Sequence, residues 1–459
     1  MVNFLLPLTF FSKTYSNSIA EPVASISFWI FIIIIIIQLF RHPMWYKRII
    51  PSWKSIILGM LFWIIQLVAM FLSYRITGDT KQTSGIIHSG IILFGWTAAF
   101  YVAWAVIQVT VVNKDAEKKF FKAGIIGLLL YLSLVIIPQI LVLSKMHGLS
   151  GYVNLIASAF EKRWQSFGNY NFNANGAYVL SQKRVNGFEP EASYLANLLS
   201  ITYLPMLIGL TVSGEKIWNK IKSPRLQQLA NVCITFFLFF VLIFAKTTTG
   251  IITGALGFIL WILFSRKALK KFLIVCLIAG PIVLYFLYSF VPMVHETLNQ
   301  FLFAKQGTDN RLGGAIGLFL TFLTHPIIGV GYGFTSFFNI QNVPIGLTHN
   351  YEFQEIFKNH GFPILSEFLG WLASYGLIIM IPALYMIFGF FMKALLIFKK
   401  SHSVWGMDKW NDLMRVSFVV TFILFFWSSF IVRLYIWPCL LMFFFYRKHI
   451  MRLEEELKQ

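Results

Sequence analysis

Charged residues are scarce in this chain of 459 amino acids: they make up 12% of it, while 58% of the residues are hydrophobic. Soluble globular domains carry about 25% charged residues, because charged side chains cover a folded surface in water. A water-soluble protein of this length is therefore excluded. The mean hydropathy of +0.72 indicates a protein that lies mostly within a lipid bilayer.

Cysteine is also rare, with three residues, Cys233, Cys276 and Cys439, all within apolar stretches. This number and placement indicate neither a disulfide framework nor a cysteine-based metal site. The nine histidines show no spacing that is typical of metal ligands, such as a His-x-x-x-His pair. The sequence therefore predicts no bound metal and no cofactor.

Acidic residues number 18 against 38 lysines and arginines, which gives a net charge of +20. Of the basic residues, 25 fall in alternate connecting segments, at 41–55, 113–122, 214–228, 265–271, 392–415 and 447–459. Cytoplasmic loops of membrane proteins are enriched in lysine and arginine in this way. We therefore predict that these segments face the cytoplasm and contact anionic lipid. They are too short to form a nucleic-acid-binding surface.

Apolar stretches approaching or exceeding the length that crosses a bilayer, about 20 residues, recur along the whole chain. They predict an all-α, polytopic membrane protein of about eleven transmembrane helices (10–12), in a single integral-membrane domain over residues 1–459. The N-terminal stretch has no basic start and no small-residue cleavage site, so no cleavable signal peptide is expected. The predicted spans are 22–40, 56–74, 86–112, 123–143, 191–213, 229–245, 251–264, 272–292, 367–391, 415–432 and 434–446.

Two long polar stretches, 144–190 and 293–366, interrupt the apolar helices on the face opposite the basic segments. The first is rich in Asn, Tyr and Gly around 167–173, which suits either the faces and hydroxyl edges of sugars or an aromatic belt at the membrane interface. The second contains the apolar run 313–323, which is too short to span a bilayer and is expected to form an interfacial helix. We predict that both stretches are extracytoplasmic and contain the functional site.

The first polar stretch ends in RVNGFEPEAS at 184–193, where the fifth predicted span begins. An arginine and two carboxylates at a membrane boundary are costly unless they are paired or functional. The segment resembles the Arg-x-x-Gly-x-Glu-Pro-Ser pattern of the O-antigen polymerase and ligase superfamily, membrane glycosyltransferases that join lipid-linked glycans. Ala192 stands where the family has proline.

Two further segments are similar to that family and follow in its order. KTTTG at 246–250 resembles a Ser-(Arg/Lys)-Thr-Gly turn, with Lys246 supplying the basic residue. Asn310-Arg311, the apolar run and HPIIGVGYG at 325–333 resemble the family's arginine, amphipathic helix and His-Pro turn. Considered without the family, the three glycines of 329–333 indicate a turn that either packs against other backbone or cradles a ligand.

The resemblance implies a polysaccharide repeat-unit polymerase in the bacterial cytoplasmic membrane. Such an enzyme joins undecaprenyl-diphosphate-linked oligosaccharides into capsule, exopolysaccharide or O-antigen at the outer face, without a metal and with inversion. It implies that Arg184, Arg311 and Lys246 bind the diphosphate. The general base is then Glu191, His360 or His349. The protein partners implied are a flippase and a chain-length regulator.

Two other functions remain open at the level of sequence. An O-antigen ligase moves the finished glycan to an acceptor lipid, but the ligase signature is displaced here, because Gly361 comes one residue late after His349-Asn350. A lipid-linked oligosaccharide flippase or another transporter is the alternative from a different class. Transporters usually show repeated halves and polar groups at the midplane, and neither feature is evident in the sequence.

Overall fold

The computed structural model describes residues 2–8, 26–160, 166–167, 170–171, 176–189, 191–218, 221–292, 295, 299, 308–406, 408–431 and 436–459. The described protein is all-α apart from one antiparallel pair of two-residue strands, β1 (Ser166–Phe167) and β2 (Tyr170–Asn171). Residues 168–169 and 172–173 of the segment 167–173, which is rich in Asn, Tyr and Gly, lie outside the described residues.

Two of the described helices, Lys114–Leu143 and Ala192–Ser213, contain a π-helical segment, at Leu132–Ile136 and Leu198–Tyr203. Short 3₁₀-helices lie at Val2–Leu8, Pro43–Arg48, His147–Leu149 and Ile345–Leu347, and a π-helix at Phe353–Phe357 leads into one turn at Lys358–His360. The remaining helices are α1 (Ile26–Arg41), α2 (Trp53–Thr77), α3 (Ile86–Thr110), α4 (Lys114–Leu143), α5 (Ser150–Phe160), α6 (Tyr178–Gln182), α7 (Ala192–Ser213), α8 (Pro224–Phe244), α9 (Thr248–Phe264), α10 (Lys267–Phe290), α11 (Thr308–Thr324), α12 (Thr335–Asn342), α13 (Glu367–Trp405), α14 (Lys409–Ile431) and α15 (Ile436–Glu456).

Eight of the described helices are long and apolar enough to cross a membrane: α2, α3, α4, α7, α8, α10, α13 and α14. The chain is thus a multi-pass membrane protein. Helices α1 and α9 are apolar but have only 16 and 17 residues. Helix α15 is apolar in its first half and charged in its second, where it reads YRKHIMRLEEE. The count of about eleven spans therefore stays a prediction.

Helix α7 lies at the centre of the bundle, with every residue of its apolar window buried. It packs against α8, α9 and α14. Gly209 permits the close approach to α14, because a Cβ at this position would lie 2.8 Å from the Leu413 carbonyl oxygen. The position of the first turn of α7 is consequently determined by neighbours on several sides.

One end of the bundle, which we call the basic face, contains the predicted basic segments. Ion pairs join the helix ends there, as expected if these segments meet on a single face of the membrane. The pairs are Lys114–Asp408 at 2.6 Å, Lys118–Glu215 and Lys393–Glu454 at 2.7 Å, and Arg266–Asp412 at 3.7 Å.

The opposite end, the loop face, contains the turns 78–85, 176–189 and 245–247 together with 191 and 325–366. Backbone hydrogen bonds connect these turns: Ser84 N donates to the Gly333 carbonyl (3.3 Å), and Val185 N donates to the Phe244 carbonyl (3.2 Å). The described parts of the two long polar stretches thus meet at one face. That this face is extracytoplasmic stays a prediction.

Helix α13 is broken at Gly376, which has φ 61° and ψ −178°. The turn 326–331 fills this break with its backbone, so that carbonyl and amide groups freed by the break are satisfied within the protein. Four hydrogen bonds join the two segments: Val330 N to Ala373 O (2.8 Å), Gly331 N to Ser374 O (3.0 Å), Leu377 N to Pro326 O (2.8 Å) and Ile378 N to Ile327 O (3.0 Å).

The glycines of this turn are required by packing against protein. A Cβ at Gly329 would lie 2.5 Å from the backbone of Ser374, and one at Gly331 would lie 2.7 Å from Met70 N. Both residues have positive φ, 70° and 81°. Of the two roles that the sequence left open, the structure supports the packing turn.

Candidate functional site

Three basic residues predicted to bind the diphosphate come together at the loop face, although they are distant in the sequence. The pKa of Lys246 is lowered by burial and then by the positive charges of Arg184 and Lys183. Burial also lowers the pKa of Arg311, and the charge of Arg184 acts in the same direction. Arg184 therefore lies near both Lys246 and Arg311. We call Lys183, Arg184, Lys246 and Arg311 the cationic cluster.

The turn that carries Arg184 is fixed by helix α4. Gln139 accepts a hydrogen bond from Gly187 N through Oε1 (2.8 Å) and donates one from Nε2 to the Gly187 carbonyl (3.0 Å). Gly187 has φ 65°, and a Cβ there would lie 1.9 Å from the Tyr131 hydroxyl. Glycine is thus the residue that allows this turn to pack against α4 and present Arg184 to the loop face.

Two members of the cluster have a strained backbone. Lys183 and Lys246 have φ values of 56° and 48°, a left-handed conformation that residues other than glycine seldom adopt. Such a conformation costs about 1–3 kcal/mol and is typically found at functional sites, where the surrounding structure imposes it. The strain at these two neighbouring lysines thus supports a functional role for the cluster.

Two helices begin at the cluster. Glu191 is the N-cap residue of α7, and Thr247 caps α9, with its Oγ1 accepting a hydrogen bond from Gly250 N (3.0 Å). Arg311 lies on α11. A helix N-terminus carries the equivalent of about half a positive charge and exposes backbone N–H groups, which suits a bound anion. The helix ends and the cationic cluster therefore favour the same kind of ligand.

Glu191, a predicted general base, lies at this site. Its charge raises the pKa of Arg311, opposing the effect of burial. The carboxylate is exposed and accepts a hydrogen bond from the Ser193 hydroxyl (3.2 Å). Tyr178, beside it, hydrogen-bonds to Arg184, and its pKa is raised by burial first and by Glu191 second. The Tyr178 phenol therefore stays neutral at physiological pH.

A second carboxylate, Glu352, approaches Arg311 and also raises its pKa. Its position is set by two amides: Asn310 Nδ2 donates to Glu352 Oε2 (2.7 Å), and Asn350 Nδ2 donates to Asn310 Oδ1 (2.7 Å). Phe353 N in turn donates to Asn350 Oδ1 (2.9 Å). This chain of hydrogen bonds connects the segment after His349 to α11.

The two candidate histidines lie in different places. His349 is exposed and adjacent to Asn350, at the border of the cationic cluster. His360 donates from Nδ1 to the Ile356 carbonyl (3.2 Å) and lines a separate groove between helices. The structure thus brings Glu191 into the cluster, leaves His349 at its edge and places His360 in another cavity.

Sequence reasoning missed Tyr178 and Glu352. Neither falls in a motif of the family, and the nearest signals were the adjacent Arg184 turn and the His349-Asn350 pair. Within the described part of the chain, no three His, Cys, Asp or Glu side chains group as metal ligands. Comparison with known proteins finds no matching family model and no curated relative of similar sequence.

Proposed function

We propose that this protein is a membrane glycosyltransferase that polymerises undecaprenyl-diphosphate-linked oligosaccharide repeat units, as O-antigen polymerases do. The observation that carries this proposal is the convergence of Arg184, Arg311 and Lys246 with the N-termini of α7 and α9 at one membrane face. The motif order of the polymerase and ligase superfamily supports it. The product is a capsule, exopolysaccharide or O-antigen chain.

The cationic cluster stabilises the leaving group. When the anomeric C–O bond breaks, negative charge develops on the diphosphate, and prearranged donors lower the energy of that transition state. Arg184 and Arg311 each present two parallel N–H groups to phosphate oxygens, and Lys246 adds a compact charge. The neutral Tyr178 phenol holds Arg184 in place. Four basic groups supply this charge, so the proposed reaction needs no divalent metal.

Glu191 is the proposed general base. Its carboxylate is exposed at the cluster beside Arg311, so an acceptor hydroxyl can reach it while the donor diphosphate occupies the arginines. The hydroxyl oxygen attacks the anomeric carbon, its proton passes to Glu191, and the bond to the diphosphate breaks. One displacement of this kind inverts the anomeric configuration. His349 is the second choice, because it lies at the edge of the cluster.

The proposed site faces the outside of the bacterial cytoplasmic membrane, as the basic segments at the other end favour. Both substrates are lipid-linked, so they reach it by diffusion in the membrane. A flippase would deliver the repeat units, and a chain-length regulator would limit the product. Neither nucleic acid nor a soluble nucleotide sugar takes part.

Purified protein in detergent, mixed with its lipid-linked repeat unit, should form a ladder of longer glycans without nucleotide sugar and with EDTA present. The Glu191→Gln variant should form no ladder, while Glu215→Gln, at the basic face, should behave like the wild type. A requirement for nucleotide sugar or metal would contradict the proposal. Transfer of a preformed chain to a separate lipid, without a ladder, would indicate a ligase.

A transporter of lipid-linked glycan is the second candidate, favoured by the break in α13 at Gly376, since transporters often contain broken helices. In this chain the break is filled by the turn 326–331 rather than by a polar cavity. Movement of the lipid-linked glycan across a proteoliposome membrane without chain growth would establish this alternative.

A further inference from the structure

A large groove runs between helices α2 and α3 on one side and α13, α14 and α15 on the other, with a volume of about 1710 Å³. This is larger than the sites of about 300–1,000 Å³ that hold compact small molecules. None of Lys183, Arg184, Lys246 and Arg311 lines it. The groove is thus a second cavity, distinct from the proposed diphosphate site.

The wall of the groove is apolar and aromatic. Two of its tryptophans bond to the protein through their indole N–H groups: Trp96 Nε1 donates to the Tyr332 hydroxyl (3.0 Å) and Trp63 Nε1 to Thr97 Oγ1 (3.2 Å). The described lining includes one acid, Glu367, which is 8% exposed. An occupant therefore meets mainly rings and alkyl groups, which suits a hydrocarbon chain.

The length of the groove narrows the choice of hydrocarbon. Its lining residues extend from Ile92 to Gln108 on the unbroken helix α3, which corresponds to about 24 Å at 1.5 Å per residue. That is most of the hydrocarbon thickness of about 30 Å. The acyl chains of a phospholipid occupy one leaflet, or about half of it, whereas a long polyisoprenyl chain can extend through both.

The charge at the loop-face end suits an anionic head group. His360 lines the groove there, and Gln82 Nε2 donates to the Lys358 carbonyl (2.9 Å), which brings the neighbouring Lys81 to the same end. Lys81, Lys358 and His360 are all exposed. A phosphate at this end would lie beside His360, with Lys81 and Lys358 on the adjoining segments, whereas Arg447 lines the groove at the basic face.

We propose that the groove binds the polyisoprenyl chain of a second lipid-linked glycan, the acceptor, with its phosphate end at His360, while the donor diphosphate occupies the cationic cluster. This inference rests on the proposed function, because only a polymerase needs two such lipids together. It also gives His360 a role in binding the head group, separate from that of Glu191.

Photocrosslinking tests this assignment. The full chain in lipid nanodiscs is incubated with a polyisoprenyl phosphate that carries a diazirine in its chain, or with phosphatidylglycerol that carries a diazirine in an acyl chain. Adducts are located by mass spectrometry. We expect the isoprenoid probe to label residues of α2, α3 and α13 along the groove, and at least about fivefold more strongly than the phospholipid probe. Equal labelling by both probes would overturn the proposal.

Two exposed glycines offer a matched pair of variants. A Cβ meets nothing within 4 Å at either Gly59 or Gly389, so each tolerates a larger side chain, but only Gly59 lines the groove. Gly59→Phe, or Gly59→Leu if folding requires the smaller residue, should reduce isoprenoid labelling several-fold, and Gly389→Phe should not. Undiminished isoprenoid labelling in both Gly59 variants would contradict binding of the isoprenoid chain in the groove.

The same experiment separates this inference from the proposed function. Labelling reports binding without glycan transfer, so groove labelling in a protein that forms no ladder would contradict the polymerase, while the groove would still be shown to bind a polyisoprenyl chain. A ladder without groove labelling would support the polymerase and contradict binding of the acceptor chain in the groove. Arg311→Lys should reduce the ladder and leave the labelling unchanged.

Discussion

The two faces of the bundle each hold a group of charged side chains, and the groups differ in how their charges are balanced. At the basic face Glu117, 1% exposed, accepts hydrogen bonds from Trp410 Nε1 (3.1 Å), His449 Nδ1 (2.9 Å) and both Nε and Nη2 of Arg452 (2.8 Å each). These residues come from α4, α14 and α15 and join the three helices. The Glu117 carboxylate is thus paired with cationic and N–H groups within the protein.

The loop face has the opposite balance. Four basic residues there lie near two acids, Glu191 and Glu352, and both arginines are only partly buried. In the proposed function, the diphosphate of the substrate balances the excess positive charge. The comparison therefore assigns the buried group to structure and supports the proposal that the partly exposed group binds substrate.

Breaking the basic-face group should have the largest effect. Glu117→Gln leaves the Arg452 guanidinium and its neighbours without their central carboxylate, and removing one partner of a buried pair typically costs about 3–5 kcal/mol. Thermal unfolding in detergent should show a large decrease in midpoint, while chain synthesis per folded molecule is unchanged. Glu454→Gln is the control, because its surface pairs with Lys393 and Lys458 should contribute about 0–1 kcal/mol. If Glu117→Gln unfolds at the same temperature as the wild type, the basic-face group does not stabilise the fold.

The loop-face arginines should show the reverse pattern. Arg184→Lys and Arg311→Lys keep the charge but lose the two-pronged geometry, so each should reduce the rate of glycan polymerisation about 100-fold with little change in unfolding midpoint. Because both are proposed to stabilise the same charge, the double variant should be less impaired than the product of the single effects.

The control for these arginines is Arg415→Lys, at the basic-face pair with Asp412, which should keep its full rate. Near-normal polymerisation by both single lysine variants, at normal protein levels, would mean that Arg184 and Arg311 only anchor the chain at the interface.

The loop face also has a structural part, the turn that fills α13. Gly331→Ala would introduce a Cβ 2.7 Å from Met70 N at a residue with φ 81°, so we expect a loss of about 1–3 kcal/mol in stability. Gly346→Ala is the matched control on the same face, since a Cβ there meets nothing within 4 Å. Thermal unfolding measures both, and equal midpoints would contradict the packing role.

The smallest expected effect concerns pH. Burial and the charges of Arg184 and Lys183 lower the pKa of Lys246 from its usual 10.5, so its positive charge is lost as pH rises through this lower value. As pH rises, the polymerisation rate should therefore decrease before pH 10.5 is reached. The Lys246→Arg variant, which stays charged, should shift this decrease to higher pH. Because the pKa of Lys246 is lower in the folded than in the unfolded state, the free energy of unfolding increases with pH between these two pKa values. An unshifted profile in Lys246→Arg, with Lys118→Arg as control, would exclude this titration.

Composition and periodicity were sufficient to predict a multi-pass helical protein, because the scarcity of charge leaves the bilayer as the solvent. The position of charged residues at a membrane boundary singled out Arg184 and Glu191. The resemblance to the polymerase and ligase superfamily added Lys246 and Arg311. The number of spans was less certain. Helices such as α1 and α9 are short, and whether they cross depends on what surrounds them rather than on their own residues.

Contacts between distant segments were decided by packing alone. Nothing local to Glu117 indicates Arg452, which lies 335 residues away, and nothing in the α13 sequence indicates that 326–331 occupies its break at Gly376. Tyr178 and Glu352 were missed for the same reason. The preference of a segment for lipid or for water depends on its own residues, so hydropathy can be calculated from the sequence of that segment alone. A cluster or a groove arises when helices pack side by side, and its chemistry depends on which faces meet.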